Sequence, residues 1–239
     1  MEWTGEGLII GVRKHGETSV IVEAMVSGRG RHLGLVRGGR APRQASTLQV
    51  GNSVQLTWRA RLEDHLGLYS VELTRARAAD LIADRLRLYA GQLIADHLRL
   101  LPERDPHDLL LATALAILDN HAPAGEVGAA LARFELTLLE ELGFGLDLAT
   151  CAATGVTREL THVSPKSGRA VSAAAAAPYR DRLLDLPAFL VTASAASIGD
   201  LRAAFRLTGH FLNMHVWQAR GINPPPIRDR LIELLCDPV

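Results

Sequence analysis

The chain has 239 residues, 48% hydrophobic and 22% charged with zero formal net charge, the composition of an ordinary globular protein with a real core. No stretch reaches the roughly 18 uncharged apolar residues of a membrane span, and the opening MEWTGEG lacks the basic segment and apolar run of a signal peptide. The zero average hides an asymmetry: residues 1–78 hold eleven Lys/Arg against seven Asp/Glu, and the remainder fifteen against nineteen.

The first third reads as strands. GLIIGVR (7–13), SVIVEAMV (19–26) and RHLGLVR (31–37) are short and rich in aliphatic or β-branched residues, separated by turn signals at His15-Gly16, Ser27-Gly28 and Gly38-Gly39. SVQLTWR (53–59) alternates with Val54, Leu56 and Trp58 on one face, and YSVELT (69–74) with Tyr69, Val71 and Leu73. Five short strands in about eighty residues suit a small closed barrel. From residue 78 the period becomes helical. One helix is expected over 79–100 on a stripe that includes Leu81, Ile82, Leu86, Leu88, Leu93, Ile94 and Leu98. A second follows Pro102 and Pro106, capped by Asp105 or Asp108 and ended by Pro123, and a third covers 126–142 and stops at Gly143. Two more are expected at about 199–220 and 227–236, around the rigid Pro224-Pro225-Pro226. The region 146–198 is the least legible, with a turn at 164–168 and an alanine run at 173–177.

The strongest local feature is 29–43, RGRHLGLVRGGRAPR, with five arginines, one histidine and no acid. Its four glycines let backbone approach a phosphate closely, and arginine contacts phosphate in a bidentate way. Arg37, Arg40 and Arg43 are expected to project from one loop at the barrel edge, with Arg13, Lys14, Arg29 and Arg31 as further DNA contacts. The plainer reading of the segment is a solvated basic loop. The barrel aromatics number only Trp3, Trp58 and Tyr69, two of them on core faces, so phosphate contacts should dominate.

Chemistry-bearing motifs are sparse. GxxxxGK[ST], GxGxxG, GxSxG and HExxH are absent, and His162 near Ser164 has no third partner, so no enzymatic activity is expected. Two cysteines, Cys151 and Cys236, make no disulfide framework, which suits a reducing cytoplasm. Cys151-Ala152-Ala153-Thr154-Gly155 has one thiol where a zinc hairpin needs two, and His210 and His215 are five apart, a poor ligand spacing. Neither metal nor cofactor is expected. Arg133, in ALARFELTLLEELGFG, reads either as a helix-surface ion-pair partner or as the anchor for an acidic peptide.

The order GETSVIVEAMVSGRGRHLGLVRGGR, then ARFELTLLEELGFGLDLATCAATG, then VSPKSGRAVS, resembles the RecO family of DNA repair proteins over about residues 5–220. The resemblance implies an α+β chain: an N-terminal five-stranded OB-fold barrel (1–78) followed by a C-terminal helical domain (79–239). The latter includes a degenerate, metal-free zinc-hairpin region at 146–198, since many members carry four cysteines where this chain has Cys151 alone. It further implies a cytoplasmic, nucleoid-associated bacterial mediator that binds single- and double-stranded DNA and anneals strands. The implied partners are the acidic tail of single-stranded DNA-binding protein (SSB), recognised through Arg133, RecR, and RecA indirectly. The competing expectation is a protein-only adaptor whose barrel binds a peptide.

Overall fold

Aliphatic and β-branched residues, near-continuous in β2 and strictly alternating in burial in β3 and β4, build β1 (Glu2–His15), β2 (Ser19–Val26), β3 (Gly30–Val36), β4 (Ser53–Arg59) and β5 (Leu68–Arg75). The structure, a computed structural model, describes residues 1–236. The strands close in the order β1-β2-β3-β5-β4, with β4 paired back onto β1. Closure rests on the length of β1. Its first half, Glu2 to Leu8, pairs with β4, and its second half, Gly7 to His15, pairs with β2. A register shift between Ile9 and Gly11 marks the irregularity a strand needs to bend from one partner to the other. A parallel contact between Leu35 and Leu68 joins β3 to β5. The enclosed core contains Ile9, Val22, Val54, Leu56, Trp58 and Tyr69. On β5 the alternation fades outward: Tyr69 is buried, Val71 is partly buried, and Leu73 is 42% exposed.

One compact unit extends past the strands to Asp119, taking in a single turn α1 (Pro42–Ala45) and the helices α2 (Ala78–Ala83), α3 (Arg85–Leu98) and α4 (Asp108–Asp119). The buried Asn52 fixes the start of α2. Its carboxamide oxygen accepts from the amides of Arg77 and Ala78, and its nitrogen donates to the carbonyls of Ser46 and Thr47. Arg77 meets Asp119 through two nitrogens at 2.5 and 3.0 Å, and Arg75 meets it at 2.9 Å. Part of the positive surplus is therefore neutralised within the fold.

The single helix expected over 79–100 is two helices. Asp84 is extended, and its carboxylate accepts from the amide of Arg87 at 3.0 Å, an N-cap that restarts the helix without any Gly or Pro. The break turns Ile82 and Leu88 outward, to 65% and 39% exposure, so neither serves the expected stripe. Asp108 lies inside the first turn of α4, and its carboxylate accepts the amide of Gly28 in the β2–β3 turn.

The second unit begins at Asn120. It holds α5 (Ala124–Glu141), β6 (Leu160–Val163), β7 (Ala170–Ser172), α6 (Ala173–Ala176), β8 (Leu184–Asp185), α7 (Ile198–Leu212) and α8 (Pro226–Cys236). The expected helix at 199–220 ends as α7 at Leu212 and widens into one π turn, Asn213–Trp217. Its N-terminus carries a full capping box, Ser197 with Asp200. Phe134, Leu138, Leu201, Phe205, Phe211 and Leu231 are buried among α5, α7 and α8. The region 146–198 contains a small antiparallel sheet, β7-β6-β8, whose hairpin turns at Ser164–Gly168. Among the described residues no helix is long and apolar enough to cross a membrane.

Candidate nucleic-acid interface

The barrel register sorts the basic residues of the first unit into two groups. Arg13 and Lys14 end β1 opposite Ile21 and Val20, and Val20 lies opposite Val36, so Arg37 leaves β3 at the same end of the barrel. Arg40 staples that end. Its amide donates to Thr18 O at 3.0 Å, and its guanidinium donates to Gly16 O at 3.2 Å and Glu17 O at 2.6 Å. The loop read from the sequence contains the turn α1, which places Arg43 on a helical backbone. Arg13, Lys14, Arg37 and Arg43 are exposed, and none forms an ion pair among the described residues. Four cations without an ion pair, set against the one exposed carboxylate of the β1–β2 turn, Glu17, form a surface that attracts polyanions.

Arg29 and Arg31 stand elsewhere. Arg29 precedes β3, Arg31 is its second residue and Arg37 follows it, and the strand's seven residues separate the two ends by about 20 Å of extended chain. Arg31 does not join an exposed cationic group. Its guanidinium meets Glu23 at 2.5 Å and donates to Leu101 O at 2.8 Å, with Glu103 at 3.6 Å and a side-chain exposure of 18%. Glu23 also takes Arg99 at 2.9 Å, so Arg31 holds β2 and β3 to the segment after α3. Arg29 lies over the ring of Trp3, 4.6 Å from its centroid.

That end of the barrel carries features the sequence reading passed over. Trp3, half-buried, is parallel to Trp58 at 5.9 Å and edge-on to His32 at 4.9 Å. The Tyr69 hydroxyl and His32 Nδ1 are 3.0 Å apart. Burial, reinforced by the nearby charges of Arg104 and Arg29, lowers the His32 imidazole to about 4. Arg104 sits at φ +63°, uncommon for a residue with a Cβ, and its amide donates to Arg31 O at 2.8 Å. Only the two prolines flanking Arg104 hint in the sequence that its backbone departs from a helix.

In the second unit Arg133 projects from α5 beside a cleft of about 550 Å³ lined by Leu136, Leu146, Leu148, Leu190 and Val191 among others. No carboxylate pairs with it among the described residues. Nη2 donates to Phe189 O at 2.7 Å, and the guanidinium lies 5.3 Å from the Phe189 ring centroid. Its neighbours Phe134 and Glu135 are buried, and Glu135 pairs with Arg228. The surface ion pair read from helical spacing does not form.

Cys151 is buried with Ser172. Its Sγ is 3.4 Å from the Ser172 hydroxyl and accepts the Ser172 amide at 3.3 Å. The Ser172 hydroxyl first, then the Thr154 hydroxyl and the Ser172 amide, hold the thiol at about 6. The donor set around this sulfur is hydroxyl and amide where zinc would need further thiolate or imidazole, so the residues present do not fit that ion. Among the described residues no group of three or more His, Cys, Asp or Glu is placed to hold a metal. His162 contacts Asp185 at 3.6 Å and Thr161 at 2.9 Å, inside the small sheet.

Two family models match the chain: recombination protein O N terminal over residues 1–77, and recombination protein O C terminal over residues 82–220. The DNA repair protein RecO of Methylobacterium nodulans is 51% identical over 240 residues, covering 98% of each chain. That of Nitrobacter hamburgensis is 54% identical over 225 residues, 92% of this chain and 89% of the relative. That of Rhizobium etli is 52% identical over 236 residues, 98% of this chain and 92% of the relative.

Proposed function

We propose a mode of action for this chain, which belongs to the RecO family of DNA repair proteins: it is a DNA-binding recombination mediator that performs no covalent chemistry. The observation that carries the reading is the unpaired basic group at one end of the barrel, Arg13, Lys14, Arg37 and Arg43, braced by Arg40. These cations neutralise phosphates and release counterions, so single and double strands both bind and base sequence matters little. Neutralising two strands at once lowers the repulsion that opposes annealing. The closed order β1-β2-β3-β5-β4 is compatible with an OB-fold, a barrel that commonly holds nucleic acid.

The Arg133 cleft supplies the second contact. A guanidinium beside leucine and valine side chains suits the acidic tail of SSB, and of the two carboxylates in the same cleft, Glu140 and Asp147, the latter is paired with Arg169 at 3.3 Å. Tethering a strand-binding barrel and a tail-binding helical unit in one chain raises the effective concentration of each target for the other. In concert with RecR, this would open SSB-coated single strands to RecA, in the bacterial cytoplasm at the nucleoid. The 146–198 region is then a zinc hairpin that has dispensed with its metal, its remaining thiol held by hydroxyls.

The test is a titration into single-stranded and duplex oligonucleotides of random sequence at several salt concentrations. The parent should bind both, with log K falling as log salt rises. Each of Arg13→Ala, Lys14→Ala, Arg37→Ala and Arg43→Ala that removes a phosphate contact should flatten the duplex slope by about 0.9. A parent chain without salt-dependent binding would refute the mediator and leave the protein-only adaptor.

A further inference from the structure

The opposite end of the barrel carries a cleft of about 300 Å³ that the phosphate-binding reading does not use, lined by Trp3, Gly28, Arg29, His32, Trp58 and Arg104 among others. Its floor is aromatic and rigid. Trp58 is 1% exposed and fixed by its indole N–H to Leu66 O at 2.9 Å, and Trp3 lies parallel upon it. His32 and Tyr69, bonded to each other, close the sides of this box. The low imidazole value keeps His32 neutral at physiological pH, so this part of the wall is an uncharged surface.

The rim is cationic and individually braced. The turn that carries Arg29 is held by the Gly28 amide on the Asp108 carboxylate at 2.8 Å. Arg104 is held in its left-handed backbone by Arg31 O, and its guanidinium reaches only a carbonyl, His65 O, at 3.1 Å. Neither forms an ion pair among the described residues. Of the acids at the cleft, Glu2 is paired with Arg59 at 2.9 Å and Glu63 is exposed. Gly30 carries the chain under this rim. A Cβ there would lie 1.8 Å from Asp105 O, so the approach of the two loops needs glycine.

We infer that this cleft is a stacking site for one unpaired nucleobase of a single strand, whose flanking phosphates fall on Arg29 and Arg104. The inference rests on the DNA-binding reading and adds strand discrimination to it. The Arg29 guanidinium lies over the Trp3 ring at 4.6 Å from its centroid; a base takes its place against the indole, the displaced guanidinium moves to the flanking phosphate, and every base offers a π-face. The volume admits one planar group. A base inside a duplex is already stacked and cannot enter, so the cleft distinguishes single from double strands where the phosphate-binding end does not.

The experiment uses the full chain with three labelled probes of equal length: oligothymidylate, the same backbone with abasic sites, and a duplex. Trp3→Leu keeps an apolar side chain on Trp58 while removing the stacking face; it loses some stability with the ring contacts, so all probes are titrated at a temperature where both proteins are folded. The change should weaken oligothymidylate binding by roughly tenfold or more. Binding to the abasic strand and the duplex should change less than twofold, with an unaltered salt slope. Arg104→Gly preserves the backbone angle and should reduce the single-strand salt slope by about 0.7. As a readout independent of that variant's folding, oligothymidylate should quench the parent's tryptophan emission more strongly than the abasic strand. Equal affinity of Trp3→Leu and parent for oligothymidylate, an equal loss on the abasic strand, or equal quenching by both probes would overturn the stacking site alone. A parent that binds no oligonucleotide would overturn the broader reading with it.

Discussion

Removing the carboxylate of Glu135 should destabilise the second unit by about 3–5 kcal/mol, because it strands a buried guanidinium. Arg228 and Glu135 have side-chain exposures of 8% and 1%. Nε donates to Oε1 at 2.8 Å and Nη2 to Oε2 at 2.9 Å, while Nη2 also reaches Phe205 O at 2.7 Å and the Thr208 hydroxyl at 3.2 Å. Thr208 in turn donates to Glu135. A Cβ on Gly209 would lie 2.9 Å from Arg228 Nη1, so the guanidinium has little room to relocate. With typical urea dependences of 1–3 kcal/mol per molar, Glu135→Ala should lower the unfolding midpoint by at least about 1 M, read by helical circular dichroism. Glu135→Leu combined with Arg228→Met replaces the pair by apolar groups of similar length and should recover most of that loss, since no charge is left alone in the interior. A midpoint shift below about 0.3 M for Glu135→Ala would refute the reading that Glu135 compensates a charge otherwise stranded in the interior. So would a double variant as unstable as the sum of its single changes.

Two further outcomes follow from the same reasoning. Arg133→Glu should weaken binding of an SSB tail peptide tenfold or more, measured by fluorescence anisotropy at a temperature where both proteins are folded, since the change also removes the bond to Phe189 O; an unchanged affinity would refute its role. His32 makes stability depend on pH: the folded ring stays neutral down to about 4, while the unfolded chain takes up its proton near the ordinary 6.5. The contribution is therefore present above pH 6.5 and lost as pH falls toward 4. Thermal melts of His32→Gln should lack that component of the decline, and a parallel decline in both proteins would refute it.

What the sequence makes legible here is what is local. Val54, Leu56 and Trp58 alternate strictly and all three are buried, and Ser164–Gly168 turns as its composition requires. The break at Asp84 is a single N-cap inside a continuous apolar stripe, and periodicity cannot register one extended residue. The 146–198 region hides its strands because they are four, three and two residues long, too short to show a period. For the candidate site, reading 29–43 as one basic run missed its partition. A strand in the middle of a run carries its two ends apart, so Arg29 and Arg37 serve different ends of the barrel. The neutralisation of Arg31 depends on Glu23 and Leu101, and Leu101 is seventy residues away in the chain. The aromatic box likewise needs Trp3 and Trp58, neighbours only through β-sheet register.

The divided pairing of β1 also imposes an order of assembly during synthesis. The second half of β1 finds β2, and β2 finds β3, within the first 36 residues to emerge, so a three-stranded meander can form early from short loops. Glu2 to Leu8 must wait for residues 53–59, more than forty positions later. Until then the nascent chain carries an unpaired strand edge with Trp3 upon it, open to pairing with a neighbouring copy. The delay falls on the very residues that later line the aromatic cleft, so errors of barrel closure and loss of that cleft should occur in the same molecules.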